Sequence, residues 1–132
     1  VHMYTPYNFA MNVWGGSTKY YTDAERTALD ENFEMLESLY LKNGIPVIIG
    51  EMGATNKDNL KDRAEWFAYF AGNAKCYGMT CCLWDNGNAK AGEEGFGYYN
   101  RTSQEWFFPI LHQVAVDNVN YAAELIHENM GH

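Results

Sequence analysis

The sequence predicts an α/β fold built on a short parallel sheet, and three observations carry that prediction. Strand-like apolar runs stand at 1–4, 46–51 and 79–84; each opens into a polar loop; and each loop gives way to a stretch with apolar residues at helical spacing. Strand, loop and helix repeated in that order are the texture of parallel strands joined by right-handed crossovers.

In the first unit, Val1 and Met3 alternate with His2 and Tyr4 as in a short strand, which Pro6 ends. A long loop follows through Asn8, Trp14 and Gly15-Gly16. Thr22-Asp23-Ala24-Glu25 is a capping-box pattern, in which the hydroxyl takes an orphan amide and the glutamate reaches back to the cap. The helix it starts carries Leu29, Phe33, Leu36 and Tyr40 on one stripe, and Asn43-Gly44 stops it.

The second unit is Pro46-Val47-Ile48-Ile49-Gly50-Glu51: apolar residues of a buried parallel strand with one carboxylate at its C-terminal end, followed by Met52-Gly53-Ala54. The loop Thr55-Asn56-Lys57-Asp58 leads to a helix over 59–75 with Ala64, Phe67, Ala68 and Ala71 turned inward. In the third unit, Gly78 separates that helix from Met79 to Trp84, and a glycine-rich loop runs from Asp85 to Gly97. The last helix is expected from near Ser103 to Val116, resuming to Glu128 after Asp117-Asn118, with Pro109 in its first turns.

Three strands do not close a barrel, which takes eight, and a doubly wound sheet uses about five. The simplest architecture for residues 1–132 is therefore the C-terminal three strand–helix units, strands six to eight, of a (β/α)8 TIM barrel, incomplete on its own. The opening Val1-His2-Met3-Tyr4 reads as a strand cut at its start. Such a piece would leave two sheet edges unpaired and one sheet face poorly covered. Its expected partner is the N-terminal part of the same barrel, or a second copy by self-association.

Composition narrows the function. A net charge of −8 argues against binding nucleic acid or an anionic membrane surface, both of which attract basic patches. With 47% hydrophobic and 16% aromatic residues the chain is not an acidic disordered tail. No apolar run approaches the roughly 20 residues that span a bilayer. Cys76, Cys81 and Cys82 lack both an even count and zinc-site spacing, and read as small apolar core residues. His127 and His132 stand i,i+5, on different helix faces, so no metal site is expected there. Gly95-Phe96-Gly97 lacks the strand-then-helix setting of a nucleotide site, and Glu25, Asp30, Glu34 and Glu37 read as a solvated helix face.

In a barrel of this kind chemistry is done at the C-terminal ends of the strands, where Glu51 stands. His2-Met3-Tyr4-Thr5-Pro6-Tyr7-Asn8-Phe9-Ala10, Pro46 to Ala54, and Leu83-Trp84-Asp85-Asn86-Gly87 together resemble strands six, seven and eight of glycoside hydrolase family 5, closest in flavour to its endoglucanase-rich subfamily 4. The resemblance also takes in Asp23 to Tyr40 and Gly95 to Pro109. It implies a retaining endo-β-1,4-glucanase with Glu51 as nucleophile, Tyr4 as the hydroxyl that orients it and His2 lining the same pocket. Trp84 matches the tryptophan platform beneath the sugar. Asn8, Trp14, Asp85 and Asn86, on loops at the same face, are further candidates for touching substrate. The chemistry fits: sugars stack their C–H faces on aromatic rings, and an oxocarbenium-like transition state favours a nearby negative charge. No cofactor or metal is implied, because two carboxylates suffice.

One departure matters. A retaining glycosidase needs a second carboxylate about 5–5.5 Å from the first, and the family supplies it from an Asn-Glu pair on strand four. Glu31-Asn32 and Glu128-Asn129 have the reverse order, Asn32-Phe33-Glu34 is helical, and the family's strand-two arginine and strand-three histidine have no match. The chain alone is therefore expected to be inactive unless complemented. The expected ligand is a β-glucan polysaccharide or oligosaccharide and the expected location is secreted or cell-surface. The alternative reading is a non-catalytic carbohydrate-binding or self-assembling half-barrel module.

Overall fold

The computed structural model describes residues 1–11, 17–92 and 94–130, the side chains of 129 and 130 excepted. Its elements are β1 (His2–Met3), α1 (Tyr7–Ala10), α2 (Asp23–Leu39), a 3-10 turn (Leu41–Asn43), β2 (Ile48–Met52), α3 (Leu60–Cys76), β3 (Thr80–Leu83), β4 (Tyr99–Asn100), β5 (Glu105–Trp106) and α4 (Pro109–Met130).

The first three strands form one parallel sheet in the order β1-β2-β3, so β2 is central and the others are edges. Helices α3 and α4 pack closely on each other. The core behind the sheet is aromatic: Trp66 packs its ring 5.0 Å from both Phe67 and Phe70, and Phe33 lies 5.3 Å from Phe70. Each such ring, once buried, stabilises the fold by roughly 1.5–3 kcal/mol. The other face of the sheet stays open in this chain, with Ile48 61% exposed although it lies mid-sheet.

Local chemistry explains most element boundaries. At the start of α2 the capping box forms in both directions: Thr22 accepts the Ala24 amide, Glu25 accepts the Thr22 amide at 2.9 Å, and the Thr22 hydroxyl also bonds Glu25. Gly44 ends the turn after α2 with φ +73°, the left-handed region that glycine enters without strain. Pro109 opens α4 at the first helical position, where its missing amide costs nothing.

Four expectations need correction. The inward stripe of α3 is Arg63, Trp66, Phe67, Phe70, Ala71 and Ala74, while Ala64 and Ala68 lie half-buried at its margins. Bulk decided this: the large rings take the interior, and an arginine is buried with them. The last helix does not begin near Ser103. A hairpin of β4 and β5 occupies that stretch, pairing Tyr99 with Trp106, and α4 then runs unbroken past Asp117-Asn118. Tyr40 belongs to the C-cap of α2 rather than to its buried stripe. Finally, Cys76, the last residue of α3, is exposed, and on the edge strand β3 Cys82 is exposed and Cys81 half-buried, because one face of that strand is bare in this chain.

Candidate active site

Glu51 stands near the C-terminal end of β2, and a backbone irregularity sets its direction. Strict alternation from the buried Ile49 would bury Glu51 and expose Met52. The pairing of β2 with β3 shifts register between Ile49 and Met52, and Met52 is 3% exposed while the Glu51 side chain keeps 26% of its surface open. An irregularity of this kind re-aims a side chain through a local bend in the strand.

Two side chains from β1 and its end converge on that carboxylate. The Tyr4 hydroxyl donates to Glu51 Oε2 at 2.8 Å. His2, paired directly opposite Glu51 in the sheet register, places Nδ1 3.2 Å from the same oxygen. Both contacts fall on Oε2, and among the described residues Oε1 receives no hydrogen bond. Burial and the Glu51 carboxylate together raise the Tyr4 pKa well above its usual value, so the phenol stays a donor throughout the physiological range. Trp84, just past β3, is 43% exposed and is tied to the same strand end by its amide, which donates to Met52 O at 2.9 Å. Glu51, Tyr4 and Trp84 thus stand at the same ends of three adjacent parallel strands.

A second ring of residues supports this layer. The Tyr4 ring meets Phe96 edge-on at 5.6 Å. The Tyr98 hydroxyl accepts the Ala54 amide and donates to the Ala54 carbonyl, both at 3.0 Å, and Arg63 Nε donates to that carbonyl at 3.1 Å. Gly53 makes this approach possible: a β-carbon there would lie 2.9 Å from the Tyr98 hydroxyl and 3.2 Å from Phe96. Arg63 is wholly buried between the rings of Tyr98 and Phe108. Burial lowers its pKa, and its two terminal nitrogens have no hydrogen-bond partner among the described residues. The ring faces offset part of that cost. None of Phe96, Tyr98 and Arg63 was singled out from the sequence. The aromatic-Gly-aromatic triplet that closes the glycine-rich loop was the available signal for the first two.

The remaining candidates fall in different places. Asn8 lies on the exposed side of α1. Trp14 lies outside the described residues, as does His132. Asp85 accepts four donors from its own loop: the Gly87, Tyr98 and Tyr99 amides and Arg101 Nη1, at 2.7–3.1 Å. Asn86 donates to Glu94 O and accepts the Asn88 amide. Both therefore brace the loop that carries Phe96 and Tyr98 toward Gly53. Among the described residues no three His, Cys, Asp or Glu side chains gather as metal ligands would.

Comparison with known proteins gives the family. A family model described as cellulase (glycosyl hydrolase family 5) matches residues 1–90. Endoglucanase B of Ruminococcus albus is 43% identical over 114 residues, covering 86% of this chain and 27% of that protein. Endoglucanase B of Clostridium cellulovorans is 38% identical over 120 residues, 88% of this chain and 27% of its own length. Among solved structures, a GH5-4 broad specificity endoglucanase from Clostridium cellulovorans matches with a TM-score of 0.85 and 39% identity over 90% of this chain and 35% of that one. A family 5 lichenase mutant from a Caldicellulosiruptor species, solved in complex with cellotetraose, matches at 0.85 and 34% identity, covering 90% of this chain and 33% of its own. The chain spans about a quarter of the length of these curated relatives.

Proposed function

The chain belongs to the cellulase family, glycosyl hydrolase family 5, and from that premise we propose that it forms strands six to eight of a retaining endo-β-1,4-glucanase with Glu51 as nucleophile. The observation that carries the reading is the asymmetry of the carboxylate: Tyr4 and His2 hold Oε2, and Oε1 is left for attack. An anomeric carbon approached by Oε1 would form a covalent glycosyl-enzyme, which water then opens with retention of configuration. Tyr4 keeps the carboxylate oriented through its hydrogen bond to Oε2. Trp84, exposed beside it, offers a ring face to the sugar.

The acid that protonates the leaving oxygen, and afterwards activates water, comes from the N-terminal part of the barrel. Two features support a missing body of protein on this chain: β1 and β3 are both open edges, and an apolar cleft of about 340 Å³ opens on the α4 side, lined by Met52, Cys81, Leu83, Tyr98, Trp106 and Leu111. A relative solved with cellotetraose supports a β-glucan substrate, and a polymer of that kind, lying outside the cell, is the ground for proposing secretion or surface display. Alone, the 132-residue chain is inactive. The test is Glu51→Gln in the barrel completed by its N-terminal portion. Turnover of carboxymethyl-cellulose should vanish while cello-oligosaccharide binding persists, and near-normal turnover would overturn the assignment.

A further inference from the structure

A helix leaves its last four carbonyls without partners in its own ladder, and α1, at four residues, is all last turn. Among the described residues the Tyr7 carbonyl is taken within the turn, by the Met11 amide. The others are taken up by the loop that leaves β2. Lys57 Nζ donates to Asn8 O at 3.0 Å, Phe9 O at 2.8 Å and Met11 O at 2.7 Å, and the Thr55 amide takes Ala10 O at 2.9 Å. The same ammonium reaches across to Thr18 O at 2.9 Å, while the Thr18 amide donates back to Asn8 O at 2.9 Å. A further link joins Asn59 Nδ2 to Lys19 O at 2.9 Å.

An ammonium has three N–H groups and no lone pair, so four carbonyl oxygens can gather on it with one hydrogen shared between two of them. A neutral amine would turn a lone pair toward one of them. Burial pulls the Lys57 pKa down to about 8, still above neutrality, so at pH 7 the group is the cation that this cage requires. An arginine would not serve, because a planar fork cannot point its donors at oxygens gathered around one centre.

The two loops joined here issue from the strand ends that hold Tyr4 and Glu51. We propose that Lys57 is a positioning residue for hydrolysis at Glu51: its ammonium locks α1, which carries Asn8, and Thr18 onto the loop that follows the nucleophile's strand. The proposal rests on the hydrolase reading above.

The test uses Lys57→Ala, which removes a propylammonium-sized piece, and Lys57→Arg. In the 132-residue chain, the Thr18 and Met11 amides should exchange with solvent about tenfold faster in both variants, while the Ile49 and Met52 amides keep their protection and report an intact core. Added n-propylammonium should restore protection to Lys57→Ala, and n-propanol should not. Unchanged exchange, or equal rescue by the alcohol, would overturn the cation clamp. Loss of protection at Ile49 would mean a global defect, and would overturn it as well. In the completed barrel, Lys57→Ala should raise KM for cellohexaose about tenfold with kcat within about twofold, again rescued by n-propylammonium. An unchanged KM alongside altered exchange would overturn the positioning role and leave the hydrolase reading standing. A wild-type barrel without turnover would overturn the hydrolase reading and the positioning role together, and the exchange data would still decide the clamp.

Discussion

Tyr4 and Glu51, 47 residues apart in sequence, stand on adjacent parallel strands and share a 2.8 Å hydrogen bond in which the phenol donates to Oε2. The bond links the two strand ends that the family resemblance singled out, and it leaves the second carboxylate oxygen open. A hydrogen bond to a charged group is worth about 1.5–3 kcal/mol. Tyr4→Phe in the completed barrel should therefore lower kcat by roughly tenfold to a hundredfold, with a stability loss of no more than about 3 kcal/mol. Steady-state kinetics beside a melting curve checks this, and an unchanged kcat would remove Tyr4 from the catalytic layer.

Gly53 is the second point at which one atom decides the layout. A methyl group there collides with the Tyr98 hydroxyl, which is held by both backbone atoms of Ala54. Gly53→Ala should destabilise the chain by about 1–3 kcal/mol. The same substitution placed on Tyr98→Phe, where the hydroxyl is gone, should cost at least about 0.5 kcal/mol less. Strictly additive effects in denaturant titrations would contradict the steric account.

Asp85 supplies a pH signature. Burial pushes its pKa up, but the Tyr98, Tyr99 and Gly87 amides and Arg101 together outweigh that, and its carboxyl lies below the ordinary range. A depressed folded-state pKa gives stability that is present above the unfolded value near 4 and is lost as pH falls through the folded value. Asp85→Asn should thus destabilise the chain by about 1–2 kcal/mol at pH 7, with the gap to wild type closing below about pH 4. A gap independent of pH would show that charge at Asp85 contributes nothing.

Much of this fold was legible because its signals are local. The Thr22–Glu25 capping box, the Gly44 stop and the apolar run before Glu51 each follow from a few neighbouring residues. What was not legible depends on contacts distant in sequence. The expected α3 stripe sets Phe67 among the small residues Ala64, Ala68 and Ala71, yet Trp66 and Phe70 share the interior with it, where Phe33 from α2 meets Phe70. Arg63 is buried against its own propensity because Tyr98 and Phe108 cover it. The β4–β5 hairpin stands where helical spacing was expected: Asn100 Oδ1 accepts the Thr102 and Ser103 amides and Tyr99 packs on Trp106, a pairing no single-strand pattern announces. At the site, the placing of Tyr4 and His2 against Glu51 needed the parallel register, and Lys57 gave no sign of its role, because a loop lysine is ordinarily a solvated charge.

The central claim is that Glu51 forms the covalent intermediate, and trapping tests it most directly. The completed barrel would be treated with an activated 2-deoxy-2-fluoro-cellobioside, which slows breakdown of a glycosyl-enzyme, and its peptides mapped by mass. The account predicts time-dependent inactivation with the sugar on the peptide bearing Glu51. A label on another carboxylate, or turnover with inversion and no label, would contradict it.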